Sequence, residues 1–289
     1  MLQYLSIVVK GGGSQAFGLS GWTIGIPPCY HREPAEAGNP KPRKGITEEH
    51  ILNILAWDIE ASNLNADFGI VLCCGFKTVG TGKPEVLNIL DYASKDRNLI
   101  KAERKLLVEI SAKLLEADVW LTHYGSAGRY DLNFVNSRLL YHRLPLLPTK
   151  FPQIDTWKIA YNNLKLRNNR LITISEFLGT EDEKNAIKGD QWILALGGHR
   201  PSMDYIIEHC RRDVLVLEEV YTLLRPLCTD HPNKGLIDGR GGCSICGSTK
   251  VQRRGFHVTR TRKYRRIQCM GCGAWSREAK PIEFAPTIP

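Results

Sequence analysis

The sequence has no long apolar run. No uninterrupted apolar segment approaches the ~20 residues that a membrane span needs, although 43% of all residues are hydrophobic and 24% are charged. The first residues also lack the charged start and apolar core of a signal peptide. We therefore expect a cytoplasmic, intracellular protein with no membrane partner.

A disulfide framework and internal repeats are also lacking. Five of the nine cysteines follow no regular spacing, namely Cys29, Cys73, Cys74, Cys210 and Cys228. The other four form two Cys-x-x-Cys pairs near the C-terminus. Metal binding in a reducing compartment accounts for this usage better than disulfides do.

Acidic residues are absent between the two cysteine pairs. Residues 243–289 hold ten Lys or Arg and two acidic residues, so they carry +8 of the chain's net charge of +9. The first 242 residues are therefore nearly neutral. Such an uneven distribution is typical of a polyanion-binding appendage on a neutral domain.

The cysteine pairs predict a zinc ribbon over residues 243–280. Cys243 and Cys246 are separated by 22 residues from Cys269 and Cys272, a spacing typical of a four-thiolate zinc site. A glycine follows each pair, as a tight metal-binding turn requires. We predict one structural Zn²⁺ there.

The ribbon also contains candidate nucleic-acid-binding residues. These are Arg253, Arg254, Arg260, Arg262, Lys263, Arg265 and Arg266. Phe256, His257 and Tyr264 lie among them. Basic side chains neutralise phosphates and aromatic rings stack on bases. The alternative is a solvated, charged hairpin without a ligand.

The rest of the chain alternates between strand and helix patterns. Predicted strands end at Glu60, cover Phe68–Val79 and Val86–Leu90 as antiparallel neighbours, and return at Val119–His123. Predicted helices cover 99–117, with Leu106, Leu107, Ile110, Leu114 and Leu115 on one side, then 131–141, 156–162, 174–178 and 202–224. Ser202 is the predicted N-cap of the last helix, which Pro226 ends. This order predicts an α/β fold with a mixed sheet flanked by helices.

These patterns divide the chain into five parts. We predict a partly irregular N-terminal extension at 1–50, with a possible edge strand from Leu5 to Val9, and an α/β domain at 51–230. A Gly- and Pro-containing linker at 231–242 leads to the ribbon at 243–280 and a tail at 281–289.

Asp58 and Glu60 close the first predicted strand, Asn53 to Glu60. Side chains alternate across a strand, so both carboxylates point to one face, about 7 Å apart. Two such charges repel unless solvent or a cation separates them. Hard cations such as Mg²⁺ prefer oxygen ligands. Two solvated charges at a strand end are the alternative.

Two further acidic residues fall in predicted helices. Asp131 opens a helix, where a carboxylate is favourable as an N-terminal charge alone. His209 and Asp213 are four residues apart in the last helix and share one face. On their own they could form a simple exposed pair.

Taken in order, these elements resemble the DEDD superfamily of 3′–5′ exonucleases. That family carries Asp-x-Glu on its first strand, an Asp at the start of a helix, and a Tyr or His shortly before a last Asp. The matching positions are Asp58 and Glu60, Asp131, and Asp213 with His209. The surrounding segments, 121–134, 154–157, 174–179 and 209–221, are also similar, chiefly to the polymerase-associated tyrosine branch.

The resemblance implies a ribonuclease H-like fold and a two-metal phosphodiester hydrolase. Asp58, Glu60, Asp131 and Asp213 would hold two Mg²⁺ or Mn²⁺, and His209 would orient or deprotonate the attacking water. The expected substrate is DNA, possibly RNA. Here a histidine occupies the tyrosine register, so Tyr205, one turn earlier, is a second candidate to face the site. The alternatives are a structure-specific endonuclease and a non-catalytic nucleic-acid-binding protein.

Overall fold

The computed structural model describes residues 52–94, 98–126, 128–180, 189–237, 239 and 241–285. The predicted extension at 1–50, including the edge strand from Leu5 to Val9, lies outside these residues. Among the described helices, none is long and apolar enough to cross a membrane.

A five-stranded mixed sheet forms the centre of the first domain. Its strands are β1 Ile54–Ala61, β2 Val71–Thr78, β3 Glu85–Asn88, β4 Val119–Thr122 and β5 Gln153–Asp155. Their order is β3-β2-β1-β4-β5. The first three strands pair antiparallel, whereas β1, β4 and β5 pair in parallel. The predicted α/β class with a mixed sheet is confirmed.

Helices cover both faces of this sheet and bury two apolar clusters against it. They are α1 Leu99–Leu115, α2 Asp131–Tyr141, α3 Thr156–Asn163, α4 Leu171–Leu178, α5 Gly189–Leu196 and α6 Arg200–Leu224. Four of the five residues that were predicted to form the apolar side of α1 are buried. Leu115, the last residue of the helix, is exposed, whereas Leu114 beside it is buried.

Helix α6 begins two residues earlier than predicted. Its N-cap is His199, and Pro201 lies in the first turn, where a missing N–H leaves no hydrogen bond unmade. Ser202 is therefore inside the helix, and the N-cap prediction for it is wrong. Its hydroxyl is buried and contacts His199 Nδ1 at 2.8 Å.

A glycine lets α6 approach the sheet closely. Gly75 on β2 pairs with Asp58 on β1. A Cβ added at Gly75 would lie 3.0 Å from the backbone oxygen of Cys210 and 3.1 Å from Val214 Cγ1. Since nearly all real Cβ contacts are longer, only glycine fits without displacing the helix. The approach brings the middle of α6 onto β1.

A buried ion pair fixes α2 against α1. Arg138 donates through Nε and Nη2 to the two carboxylate oxygens of Glu103, at 2.9 and 2.6 Å. The same carboxylate accepts from the Val71 amide and contacts His142. Glu103 thus has several partners, as a buried charge requires. The network holds α2, and with it Asp131 at the start of α2.

The C-terminal part forms a second, four-stranded sheet. Its strands are β6 Val251–Val258, β7 Arg262–Cys269, β8 Trp275–Arg277 and β9 Glu283–Phe284. Strand β7 is central and pairs antiparallel with each of the other three. Within the predicted linker, a short helix, α7 Lys234–Ile237, donates from the Lys234 amide to the Ser244 carbonyl at 2.8 Å.

Candidate active site and zinc centre

Strand β1 carries the first two predicted site residues. Asp58 and Glu60 are partly exposed, whereas Ile59 between them is buried, as alternation across the strand requires. They lie toward the carboxyl end of β1, and the parallel strands β4 and β5 end at the same edge of the sheet. This edge is where the chain can bring other polar side chains to them.

Asp131 reaches this edge from the loop after β4. Its carboxylate is buried and packs against Gly125, where an added Cβ would lie only 2.1 Å from Asp131 Oδ2. The loop is closed by backbone hydrogen bonds from Tyr130 to Tyr124 and from Leu132 to Gly125, at 2.9 and 3.0 Å. A side chain at position 125 would therefore displace the carboxylate.

Helix α6 brings the last two residues to β1. His209 Nε2 lies 3.6 Å from Glu60 Oε1 and 3.6 Å from Asp213 Oδ2. Asp213 is buried, and His209 lies between the two carboxylates. The spacing of four residues thus aligns the imidazole and carboxylate on the helical face that meets β1.

The electrostatics show that Asp131 shares an environment with Asp58. Burial raises the pKa of the Asp131 carboxyl well above its ordinary value, and the charges of Asp58 and Asp155 raise it further. Hydrogen bonds from the backbone amides of Asp131 and Ile59 act in the opposite direction. A carboxylate in this position is costly to ionise without a nearby cation.

Tyr130 is a site neighbour that the motif analysis left without a role. Burial raises the pKa of its phenol to about 12, and the charges of Asp131, Glu60 and Asp58 add to this effect. The phenol therefore senses carboxylates from both β1 and α2. The only sequence signal was its position directly before Asp131.

Three other polar residues have different partners. Asp155 caps α3 and accepts from the Tyr124 amide and the Ser126 hydroxyl, and Asp204 pairs with Arg200 on the surface. His123 contacts Thr156 Oγ1 and the Asn169 carbonyl at 2.8 and 2.9 Å.

Tyr205, the second candidate to face the site, is 43% exposed, whereas the His209 side chain is 12% exposed and contacts two site carboxylates. His209 is thus the residue of this pair that the structure brings to the carboxylates.

The donor set fits a divalent cation. Glu60, His209 and Asp213 each offer a ligand atom, and these atoms all lie within 4.8 Å of one another. Carboxylate oxygens are the preferred ligands of Mg²⁺, and Mn²⁺ also accepts an imidazole nitrogen. Asp58 and Asp131 are not among these three ligands, but Tyr130 senses both of them together with Glu60, and Asp58 acts on Asp131.

Comparison with protein families identifies the first domain. A model of the RNase H superfamily matches residues 55–225, which include every residue of the carboxylate group. The chain belongs to the RNase H superfamily. Its ribonuclease H-like fold is thereby confirmed, and the superfamily includes nucleases, which usually use divalent metals. A comparison with curated proteins finds no match.

Beyond the RNase H domain, the four predicted cysteines converge. Their sulfur atoms all lie within 4.8 Å of one another, with Cys243–Cys272 at 3.7 Å and Cys246–Cys269 at 3.6 Å. Zinc–sulfur bonds of about 2.3 Å in a tetrahedron place the sulfurs about 3.8 Å apart. The cluster could therefore bind one Zn²⁺.

Local backbone geometry supports the same site. The amides of Ile245 and Gly271 donate to the sulfurs of Cys243 and Cys269 at 3.4 and 3.3 Å. Gly247 and Gly273 have φ of 75° and 79°, the left-handed conformation expected of glycines after each pair. Burial raises the pKa of the Cys269 thiol, but amide and thiol hydrogen bonds outweigh it and bring the pKa to about 7.

The basic residues of the ribbon lie on two different faces. Arg262 and Arg266 share a face with Arg277, and their guanidinium carbons lie 5.6, 4.8 and 3.7 Å from the ring centres of Phe284, Trp275 and Tyr264, respectively. Alternation along β7 places Lys263 and Arg265 on the opposite face, together with the paired Arg253.

Carboxylates lie on that opposite face. Arg253 pairs with Glu278 at 2.9 Å and Lys263 pairs with Glu283 at 2.8 Å. Part of the predicted basic surface is thus neutralised within the ribbon. The face of Arg262, Arg266 and Arg277, hereafter the arginine–aromatic face, combines cations with exposed rings of Trp275 and Phe284.

Proposed function

We propose that the chain is a divalent-metal-dependent 3′–5′ exonuclease that hydrolyses nucleic acid, DNA in preference to RNA. The observation that carries the proposal is the meeting of Glu60, His209 and Asp213 beside Asp58 and Asp131. It occurs within a domain of a superfamily that includes nucleases. The direction of attack and the DNA preference rest on the resemblance of the motifs to DEDD exonucleases.

The four carboxylates, Asp58, Glu60, Asp131 and Asp213, are the proposed ligands of two Mg²⁺ or Mn²⁺. When bound, the cations supply a nucleophilic water and stabilise the leaving 3′ oxygen. His209 orients that water and accepts its proton, a role that imidazole side chains fill more often than any other in general acid–base catalysis. Its position between Glu60 and Asp213 supports this assignment.

Tyr130 and Gly125 assist in this proposal without binding metal. The Tyr130 phenol, with its pKa of about 12, stays protonated at neutral pH, and its O–H donates to the Asn63 carbonyl at 3.4 Å. Gly125 leaves room for the Asp131 carboxylate. The product would be a nucleoside 5′-monophosphate.

The zinc ribbon is the proposed substrate-binding appendage. Its net charge of +8 lies beside a nearly neutral domain, which favours contacts with phosphates. The four cysteines provide most of the small core on which the strands fold. Loss of Zn²⁺ would therefore unfold the ribbon and weaken substrate binding, while leaving the carboxylates in place.

The proposal is tested by asking whether cleavage requires a free strand end. Purified protein with Mg²⁺ or Mn²⁺ is given 5′-labelled linear strands and closed circles of DNA and of RNA. We expect progressive shortening of the linear strands and no cutting of circles. Efficient cutting of circles would instead support a structure-specific endonuclease, and binding without cleavage would support a non-catalytic protein.

A further inference from the structure

Three aromatic residues and an arginine form a stack beside the carboxylates. Trp157 and Tyr161 are parallel, with ring centres 4.9 Å apart and an interplanar angle of 10°. Tyr124 meets Trp157 edge-on at 5.1 Å. The guanidinium of Arg129 lies over both Trp157 and Tyr124, at 4.4 and 5.0 Å from their ring centres.

The stack is not part of the apolar core. Trp157 and Tyr161 are four residues apart on α3 and share its outer face, whereas Thr156, Ile159 and Ala160 supply the buried face. Tyr124, Arg129 and Tyr161 are exposed. An aromatic surface of this size at the protein–solvent boundary leaves ring faces available to a ligand.

Its position links the stack to the carboxylate group. Tyr124 follows β4 and Trp157 follows β5, so both lie at the sheet edge that carries Asp58 and Glu60. Tyr124 is next to Gly125, which packs against Asp131. Arg129 is next to Tyr130 and also lines a groove of about 650 Å³ along α2. A strand leaving the carboxylates toward α3 would meet the stack.

The backbone at Tyr124 is strained. Its φ of 63° is uncommon for a residue with a side chain. The conformation is held by the Asp155 carboxylate, which accepts from the Tyr124 amide at 2.9 Å, and by the Tyr130 amide. The chain thus maintains an unfavourable conformation that places an exposed ring beside Trp157.

We propose that Arg129, Tyr124, Trp157 and Tyr161 are a stacking platform for the bases of single-stranded nucleic acid. A base lies on the outer face of Tyr161 and extends the parallel stack of Trp157 and Tyr161, and Arg129 contributes its charge to the adjoining phosphate. Bases inside a duplex are stacked on both faces by their neighbours, so the platform selects single strands. This inference rests on the proposed function, because it assumes a nucleic-acid substrate at the neighbouring carboxylates.

The experiment compares two exposed aromatic residues of the same domain. Tyr161 and Phe177 are 62% and 63% exposed and lie on α3 and α4, but only Tyr161 belongs to the stack. Tyr161→Ala and Phe177→Ala are each made in the full-length Asp213→Asn chain, so that bound strands are not cut. Dissociation constants are measured for a short single strand and for the same sequence as a blunt duplex.

We expect Tyr161→Ala to weaken single-strand binding by about 5- to 150-fold, the range of base–aromatic stacking. Phe177→Ala should bind as the parent does, and neither change should alter duplex binding. A strand carrying 2-aminopurine should show a fluorescence change on binding that Tyr161→Ala abolishes and Tyr161→Phe restores. Arg129→Lys, which keeps the charge but loses the planar group, should weaken single-strand binding.

Equal single-strand affinities of the Tyr161→Ala and Phe177→Ala chains would overturn the platform. If the wild-type chain still shortened single strands, the proposed exonuclease function would stand without it. A wild-type chain that neither bound nor cleaved nucleic acid would overturn both.

Discussion

Asp131 is the residue whose ionisation is least favourable in the carboxylate group. It is buried, and Asp58 and Asp155 add negative charge around it, so its pKa lies well above the ordinary range. The folded protein therefore binds a proton at Asp131 at pH values where the unfolded chain has released it. Stability contributed by this protonated state is lost as pH rises from the unfolded pKa through the folded pKa.

Asp131→Asn removes this titration while conserving shape. We consider protein with Zn²⁺ in the ribbon and no divalent cation at the carboxylates. There we expect the variant to be more stable than the wild type, and the difference in stability to grow as pH rises above the ordinary carboxyl pKa range. Added Mg²⁺ should stabilise the wild type more than the variant. Thermal unfolding over a pH series measures both effects. A stability difference that shrinks with rising pH would contradict the assignment.

Motif spacing predicted which residues meet, but not their surroundings. Asp58 and Glu60 share a face because strands alternate, and His209 and Asp213 because helices repeat every three to four residues. Tyr205 has the same helical phase as His209, so spacing alone cannot choose between them. That choice depends on where α6 crosses β1, which long-range packing determines.

At the scale of elements, the crossing of α6 over the sheet depends on Gly75. No sequence pattern marks this glycine, because its neighbour in space, Cys210, is more than a hundred residues away. The same holds for Glu103 on α1, whose partners Arg138 and His142 come from α2. Periodicity predicts which face of an element is apolar, whereas contacts between elements require the assembled fold.

Gly75→Ala should push α6 away from β1. The added methyl group would lie 3.0 Å from a backbone oxygen of that helix, and such overpacking costs about 1–3 kcal/mol. We expect lower thermal stability and slower cleavage, since His209 and Asp213 move with the helix. Gly189→Ala is the matched control, because a Cβ there meets nothing within 4 Å. Equal stability and activity of the two variants would show that the position of α6 on the sheet does not require a glycine at position 75.

The two faces of the ribbon allow a second comparison. Arg262→Ala/Arg266→Ala and Arg253→Ala/Lys263→Ala each remove two positive charges. Within the described part of the chain, only Arg253 and Lys263 of these four have carboxylate partners. We expect the first double variant to flatten the salt dependence of nucleic-acid affinity by about 0.7–0.9 log units per lost phosphate contact. The second should change the slope less. Identical slopes would argue against a specific role for the arginine–aromatic face.

In the whole molecule, α6 extends from the carboxylates toward the ribbon. His209 and Asp213 lie in its middle, and the Tyr221 hydroxyl near its end contacts His231 Nε2 at 2.7 Å. His231 starts the segment whose short helix α7 bonds to the ribbon through Lys234. Composition predicted a neutral domain followed by a basic appendage. These contacts depend on side chains of the intervening segment, where glycine and proline indicated only a linker.

Two aspartates of helix α6 distinguish the proposed active site from the exposed surface of the same helix. Asp213 is buried among the carboxylates, whereas Asp204 is exposed and pairs with Arg200 at 2.8 Å. Wild-type, Asp213→Asn and Asp204→Asn proteins are given end-labelled single-stranded DNA with Mg²⁺ or Mn²⁺, and the initial rate of nucleotide release is measured. We predict that Asp213→Asn folds but releases nucleotides only at the background rate, while Asp204→Asn retains the wild-type rate. Wild-type activity in folded Asp213→Asn would contradict the assignment of the active site.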